Sequence, residues 1–454
     1  MIEMDVLIIG GGSAGENAAR TAVREAGSVG LVEKSRVGGA CVFNACIPTK
    51  ALVHAARTYK KMRSAGFYGL PAIDRAPDYR LVKGFKDRLI EGIASGRDES
   101  MAKRGVTVLE GAARFVSSRE VAVADEIIRA HSIVIATGSA PAVPPIPGLD
   151  DTGYLTHIDA LELESIPDRM AVIGGGPVGV EFIQVFSAFG SDIDIYDAMD
   201  RIMSVEDEEI SSALGELLRG QGISISTSVR ILDIKRTSAG KLITLEDSNG
   251  VKRTAEYDEI LVATGRRPVV EGLDLAAAGI ETYTRGIKVD STLRTSVPYI
   301  WAAGDVTGML YFTYIANEQG KIAALNAATS GHTEFKYDIL PRATFCDPEV
   351  ASVGLTETQA RETGRRVVTG RYKFADMTRP IVSNETDGFI KIVAEEGTGL
   401  ILGGHILGAE ASTTIHEIAA AMAGHLTVFD IGNLIHSYPT FSEGVRYACQ
   451  TARA

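Results

Sequence analysis

Val6-Leu7-Ile8-Ile9-Gly10-Gly11-Gly12-Ser13-Ala14-Gly15 decides the fold. Four consecutive apolar residues read as a short strand buried on both faces. The glycine run that follows reads as a tight turn. Downstream lie an Ala-rich helix from about 16 to 25 and a second strand, Val29-Gly30-Leu31-Val32, which ends at Glu33. The pattern recurs. Met170-Ala171-Val172-Ile173 leads into Gly174-Gly175-Gly176-Pro177-Val178-Gly179, then a helix to about 189, then Ile193-Asp194-Ile195-Tyr196 ending at Asp197. Each acid stands eighteen residues beyond its third glycine, Glu33 after Gly15 and Asp197 after Gly179.

One glycine-rich turn is a weak signal, because tight turns in α/β domains are common. Strand, glycines, helix, strand and acid at the same spacing twice is a strong one. Such glycines let a pyrophosphate approach the backbone at a helix N-terminus, where unpaired N–H groups and the helix dipole favour an anion. The acid at the end of the second strand accepts from an adenosine ribose hydroxyl. Two dinucleotide half-sites are therefore expected.

Three further strands run into glycine turns, at Ser132-Ile133-Val134-Ile135-Ala136-Thr137-Gly138-Ser139, Ile260-Leu261-Val262-Ala263-Thr264-Gly265-Arg266 and Tyr299-Ile300-Trp301-Ala302-Ala303-Gly304-Asp305. Four prolines between 141 and 147 make that stretch the best linker, since proline continues neither helix nor central strand. Beyond about 335 the pattern gives way to an alternating strand, Phe389-Ile390-Lys391-Ile392-Val393, and an Ala-rich helix around 415–424. We expect an α/β protein with two Rossmann-like dinucleotide-binding domains and a C-terminal α+β domain.

Composition bounds the function. The 454 residues carry 46 Lys and Arg against 58 Asp and Glu, a net charge of −12, which argues against nucleic acid or an anionic membrane surface as partner. At 45% hydrophobic and 23% charged, the chain has the composition of a globular protein with sizeable cores. No apolar run approaches a membrane span, and the acidic start does not resemble a secretory signal, so a cytoplasmic location is expected. Four cysteines are too few for a disulfide scaffold.

Two of those cysteines stand in Gly38-Gly39-Ala40-Cys41-Val42-Phe43-Asn44-Ala45-Cys46-Ile47-Pro48-Thr49-Lys50. Their spacing is not that of a zinc site, and no metal site is expected. A pair of buried thiols and a redox pair both remain open on spacing alone. The pair follows directly on a dinucleotide half-site, and near a helix start it would gain thiolate character.

In this segment the chain resembles the flavoprotein pyridine nucleotide–disulfide oxidoreductases, the group of dihydrolipoamide dehydrogenase, glutathione reductase and mercuric reductase. The resemblance runs from the first glycine turn through Gly265-Arg266-Arg267-Pro268 and Ala303-Gly304-Asp305 to Pro439-Thr440-Phe441-Ser442-Glu443. It implies FAD and NAD(H) as cofactors. Gly10, Gly12, Ser13, Ala14, Gly15, Glu33 and Lys34 would hold the ADP half of FAD. Gly39, Ala40, Ala113, Thr137, Gly138, Ser139, Gly304, Asp305, Phe312 and Thr313 would be further FAD contacts, Asp305 meeting the ribityl chain. Gly174, Gly176, Pro177, Val178, Gly179, Asp197 and Gly265 would serve NAD(H). By the same resemblance Cys46 would lie against the flavin, Cys41 would exchange with substrate, and Lys50 and Glu181 would pair beside the flavin. The implied domains are 1–148 with 266–335 for FAD, 149–265 for NAD(H) and 336–454 for dimerisation.

Two readings refine this. A carboxylate at Asp197 accepts from a free ribose 2′-hydroxyl and repels a 2′-phosphate, so NAD(H) is expected over NADP(H). Relatives of this type usually carry a histidine before the proline of the C-terminal motif, as acid–base partner of the thiol pair, reaching the site from the other subunit of a homodimer. Here that residue is Tyr438, in His436-Ser437-Tyr438-Pro439-Thr440-Phe441-Ser442-Glu443. An ordinary phenol titrates near ~10 and an imidazole near ~6.5, so tyrosine is a poor proton relay at neutral pH. Tyrosine at this place resembles mercuric reductases and soluble transhydrogenases. The former typically end in adjacent cysteines, whereas this chain has Cys449 alone, and the latter lack the pair. His436 and Glu443 are the remaining candidates for proton handling. The expected activity is a dihydrolipoamide dehydrogenase-like transfer between NAD(H) and a lipoyl-type or other small disulfide, with a metal-ion or quinone reductase as alternative. A partner-binding flavoprotein with little turnover is the alternative of another class.

Overall fold

The computed structural model describes residues 2–452. They form two compact units. The first contains the described residues up to Thr49, with Gly84–Ala142 and Gly265–Lys336. The second contains Lys50–Lys83, Val143–Thr264 and the described residues from Tyr337 onward.

In the first unit the strand Ile2–Ile9 lies between Val29–Glu33 and Glu126–Ile135, parallel to both. Val106–Glu110 extends the sheet beyond Val29–Glu33, and Ile300–Ala302 pairs in parallel with Glu126–Ile135. Register places Ile8 between Leu31 and Val134. A hairpin of Ala113–Ser117 and Glu120–Val123 joins antiparallel to Glu126–Ile135. The unbroken apolar runs are buried on both faces, as Leu7, Ile8, Leu31, Ile133 and Val134 show at 0% exposure. Helices Ser13–Ala22 and Thr313–Thr329 cover the sheet, and Asn17 Nδ2 donates to Asn317 Oδ1 at 2.9 Å between them.

The second unit repeats the opening theme. A parallel sheet runs in the order Ser224–Ser226, Asp192–Tyr196, Arg169–Ile173, Glu259–Val262, with helix Pro177–Ala188 leaving the glycine turn. A three-stranded antiparallel sheet, Arg230–Arg236, Lys241–Glu246 and Lys252–Tyr257, is inserted before the last strand. The C-terminal part is a five-stranded antiparallel sheet with helices Ala411–Ala423 and Glu443–Thr451. It shares one core with the helix Pro177–Ala188, where Phe182 and Phe186 pack in the same cluster as Val350 and Leu407. The fold is therefore two Rossmann-like parts and an α+β part. Among the described residues no helix is long and apolar enough to cross a membrane.

The strand Phe389–Glu395 departs from what its alternation suggests. Lys391 is buried rather than solvated, with Nζ 2.9 Å from Asp207 Oδ1, 2.7 Å from Glu209 Oε1 and 2.9 Å from Glu357 Oε2. A buried ammonium persists only when paired, and here three carboxylates from distant segments supply the pairing. Hydrogen bonding from Arg371, opposed by partial burial and reinforced by Lys391, lowers the Glu209 carboxyl from its ordinary 4.5 to about 2.

A carboxylate whose pKa is depressed on folding stabilises the native state above its ordinary value and stops doing so as pH falls through the depressed one. Thermal melts from pH 5 down to pH 2 are thus expected to fall more steeply for the wild type than for Glu209→Gln. Parallel slopes would contradict this role for Glu209.

Candidate functional site

The first glycine turn works through a close approach. Gly10 has φ +103°, and a Cβ there would stand 2.4 Å from the carbonyl oxygen of Ala136. A Cβ on Gly15 would stand 1.7 Å from the carbonyl oxygen of Gly10, so only glycine lets the helix start this close to the strand end. The helix has Gly12 as N-cap with no side chain capping it, which leaves the first-turn N–H groups of Ser13, Ala14 and Gly15 available to an anion. Glu33 Oε2 accepts from the N–H of Gly11 at 2.7 Å, and Oε1 accepts from Ser35 N–H at 2.9 Å. Lys34 is exposed beside it. Gly39 packs against Gly12, where a Cβ would come within 2.5 Å of the Gly12 Cα.

The same geometry stands in the second unit. Gly174 has φ +109° and a virtual Cβ 2.5 Å from the Ala263 carbonyl oxygen, and that of Gly179 lies 2.0 Å from the Gly174 carbonyl oxygen. Asp197 Oδ2 accepts from Gly175 N–H at 2.6 Å and Oδ1 from Met199 N–H at 2.8 Å. Gly176 caps the helix with Pro177 in its first turn and open space where a side chain would stand, next to Val178. Gly265, at φ +118°, likewise faces open space. Two uncapped helix starts, each with a carboxylate on the turn, are the donor and acceptor set that a dinucleotide needs, so the residues fit FAD and NAD(H).

Cys41 sits in the short helix Gly39–Phe43, and Cys46 opens the helix Cys46–Arg63. Both are partly buried thiols. Cys46 Sγ lies 3.2 Å from Thr313 Oγ1. The hydrogen bond to Cys46 holds the Cys41 pKa well above the ordinary thiol range, burial adds to this, and the Thr313 and Ser13 hydroxyls oppose it. That hydrogen bond and partial burial favour the protonated form of Cys41, and the helix start at Cys46 favours negative charge there.

The first unit also joins polar groups from far along the chain. Thr137 Oγ1 donates to the Val269 carbonyl at 2.6 Å, next to Gly138 at φ +71°. Ser139 Oγ bonds Asp305 and accepts from Arg266 Nε at 2.7 Å. Burial raises the Asp305 carboxyl, against the pull of Ser139 and Arg266. Gly304 N–H donates to Gln319 Oε1 at 2.8 Å, Phe312 stacks on Tyr314, and Ala113 is buried opposite Val123.

In the second unit Lys50 Nζ lies 2.9 Å from both oxygens of Glu181, whose side chain is 6% exposed. Glu181 Oε1 also accepts from the Phe345 N–H at 2.9 Å, and the Lys50 ammonium stands 4.8 Å from the Phe345 ring centroid. The roles of Phe345 and Gln319 escape sequence reasoning, since their partners lie far away along the chain and no local motif marks them, and the motif that contains Arg266 does not reveal its partner Ser139. Tyr438 is 71% exposed and donates to Thr378 Oγ1 at 3.0 Å. His436 turns elsewhere, its Nε2 2.8 Å from Glu417 Oε1 and its side chain 7% exposed. Glu443 accepts from Thr440 N–H at 2.9 Å and from the Tyr447 hydroxyl at 3.1 Å, and so braces the turn before the last helix.

Comparison with known proteins agrees with this layout. Residues 4–330 match the family model described as pyridine nucleotide-disulphide oxidoreductase, and residues 340–449 match its dimerisation domain. A mercuric reductase of Streptomyces lividans is 37% identical over 98% of this chain and 96% of its own length. A dihydrolipoyl dehydrogenase of Chlamydia pneumoniae is 35% identical over 97% of this chain and 95% of its own. Among solved structures, an HOCl-induced flavoprotein disulfide reductase of Escherichia coli superposes with a TM-score of 0.88 at 28% identity, covering 99% of this chain and 100% of that one. A Cu(II) complex of the same reductase superposes with a TM-score of 0.89.

The Lys50–Glu181 pair makes a stability prediction. Lys50→Met strands a buried carboxylate and is expected to cost on the order of 1–3 kcal/mol. Lys50→Met combined with Glu181→Gln, which keeps an acceptor for the Phe345 N–H, recovers most of it. Denaturant midpoints of the three proteins check this; a double variant no more stable than the single one would contradict it.

Proposed function

Because the chain belongs to the pyridine nucleotide-disulphide oxidoreductase family, we propose that it is an FAD-dependent NAD(H) oxidoreductase that moves electron pairs through Cys41 and Cys46. The observation that carries this reading is the hydrogen-bonded thiol pair at the start of helix Cys46–Arg63, flanked by the Thr313 and Ser13 hydroxyls. When bound, FAD supplies a two-electron carrier between nicotinamide and the thiol pair.

The chain's own residues divide the work. Ser13, Ala14 and Gly15 bind one pyrophosphate through their N–H groups and Glu33 a ribose; Gly176–Gly179 and Asp197 do the same for NAD(H). Residues 1–148 with 266–335 would thus serve FAD, 149–265 NAD(H) and 336–454 the homodimer. Lys50 holds a positive charge in place through Glu181. In the reductive direction the Cys41 thiolate attacks one sulfur of an external disulfide and expels the other as a thiolate. Cys46 then attacks Cys41 in the mixed disulfide, closes the Cys41–Cys46 bond and releases the second substrate thiolate. One dithiol is oxidised, one disulfide is reduced, and two protons pass to the departing thiolates.

A second reading has a specific observation behind it. Exchange needs a base to take the proton from Cys41, and the motif that usually supplies an imidazole supplies Tyr438, while His436 is engaged by Glu417. A soft metal ion as substrate binds thiolates directly and accepts two electrons with less need of proton relay. The name of the Streptomyces relative points the same way.

NADH and NADPH oxidation by FAD-loaded protein against lipoamide, glutathione disulfide, Hg(II) and quinones tests the proposal. NADH is expected to surpass NADPH in kcat/KM through Asp197, and a preference for NADPH would overturn that assignment. Dihydrolipoamide oxidation is expected to be slow at pH 7 and to rise with pH as substrate thiols ionise unaided. General acid–base help is worth about 10²–10⁴-fold, so Tyr438→His is expected to raise that rate while leaving NADH-driven flavin reduction unchanged. Wild-type turnover on the order of 10² per second at pH 7 would contradict it.

A further inference from the structure

The second unit holds a cavity of about 430 Å³ that none of the roles above uses. Its volume is that of a small-molecule site. Part of its lining is apolar: Val53 and Ala56 of helix Cys46–Arg63, Val185 and Ala188 of helix Pro177–Ala188, and Ile223. Part is cationic. Arg57, Lys60 and Arg63 of helix Cys46–Arg63 line it with a single carboxylate, Asp347.

These cations have capacity for a further anion. Lys60 Nζ lies 2.6 Å from Asp347 Oδ2, with the two side chains 52% and 36% exposed. An ion pair so exposed is worth little and exchanges easily. Arg57 is anchored by Glu349 at 2.8 Å and by the Cys346 carbonyl, yet its buried Nε has no hydrogen-bond partner among the described residues. Arg63 stands 5.9 Å from the centroid of the Tyr59 ring, which is itself stacked on Phe189. A flat ring beside a guanidinium suits a planar π-system that carries a negative charge.

The cavity wall is joined to the Lys50–Glu181 pair. Asp347 donates its N–H to Gln184 Oε1 and accepts from Gln184 Nε2, both at 2.6 Å. Two residues earlier, the Phe345 N–H donates to Glu181, and Arg57 donates to the Phe345 carbonyl at 3.3 Å. Gln184 and Glu181 lie within one turn of the same helix. An anion that draws Lys60 from Asp347 therefore acts on the segment that also holds Glu181 and, through it, Lys50.

We propose that this cavity binds a small planar aromatic carboxylate or sulfonate and that its occupancy modulates the reducing half-reaction through residues 345–347. The kinetic part rests on the proposed function; the binding part does not. The test is calorimetric titration of the FAD-loaded full chain with 2-naphthoate at about 0.1 M salt, where screening leaves the contact intact. Saturable binding of one molecule per chain is expected, weakened at least about tenfold by Arg63→Glu, by Ala188→Trp and on replacing the probe with neutral 2-naphthol. Saturating NADH is expected to leave the affinity unchanged. If Ala188→Trp does not fold, Arg63→Glu, at an exposed position, still decides. No saturable binding, binding indifferent to these changes, or competition with NADH would each overturn the site. Rapid-mixing absorbance is expected to show the rate of NADH-driven reduction changing about twofold or more on saturation in the wild type. Saturable binding with an unchanged rate overturns the coupling. If NADH reduces no acceptor at all, the proposed function fails while the calorimetry still judges the cavity.

Discussion

In each Rossmann-like part, the third glycine of the turn lies so close to the carbonyl of the first that a methyl group between them would overlap it, 1.7 Å at Gly15 and 2.0 Å at Gly179. That contact presses a helix start against a strand end and aims unpaired N–H groups outward from the tip of the sheet. An uncapped helix start in an apolar surrounding is costly unless water or a ligand satisfies it. Such a start is useful where an anion can supply the missing acceptors. The carboxylates of Glu33 and Asp197 complete the arrangement by accepting from the N–H groups of Gly11 and Gly175. The segment with the thiol pair then leaves the first turn by way of Gly39, packed on Gly12. The position of Cys41 and Cys46 thus derives from the same backbone contact.

A second theme is charge held inside the fold by partners remote in sequence. Lys391 with Asp207, Glu209 and Glu357, and Lys50 with Glu181, are each paired across more than a hundred residues of chain, except for the shorter reach to Glu357. Removing one member leaves the other stranded in a poorly solvated place, so such groups specify geometry more than they add net stability. For Lys50 the geometry is the point: Glu181 and the Phe345 N–H hold the ammonium at a defined place beside an aromatic ring. The raised Cys41 thiol follows the same logic, since its hydrogen bond to Cys46 and its partial burial both disfavour the thiolate.

Much of this was legible in the sequence because the signals are local. Strand, glycine run, helix and acid fall within some thirty residues, and the structure has those elements at Ile2–Ile9, Ser13–Ala22 and Val29–Glu33. The helix begins at Ser13, ahead of the expected start near 16, because Gly12 serves as its cap. The proline-rich stretch from 141 to 148 spans the passage of the chain from one unit to the other at 142–143. What was not legible depends on long-range meetings. Alternation around Lys391 suggests a half-exposed strand, and only the carboxylates from 207, 209 and 357 explain its burial. His436 and Tyr438, two residues apart, suggest side chains on one face, whereas Glu417 draws the first aside and Thr378 receives the second.

The central claim is that Cys41 and Cys46 form the electron-pair relay, with Cys46 facing the flavin and Cys41 facing substrate. The direct measurement is the visible spectrum of FAD-loaded Cys41→Ser and Cys46→Ser proteins as isolated, followed by their NADH-dependent disulfide turnover. We expect a long-wavelength charge-transfer band in Cys41→Ser, where Cys46 remains as a lone thiolate, no such band in Cys46→Ser, and loss of disulfide turnover in both. The band in Cys46→Ser instead would reverse the two roles, and undiminished turnover in both variants would contradict the relay altogether.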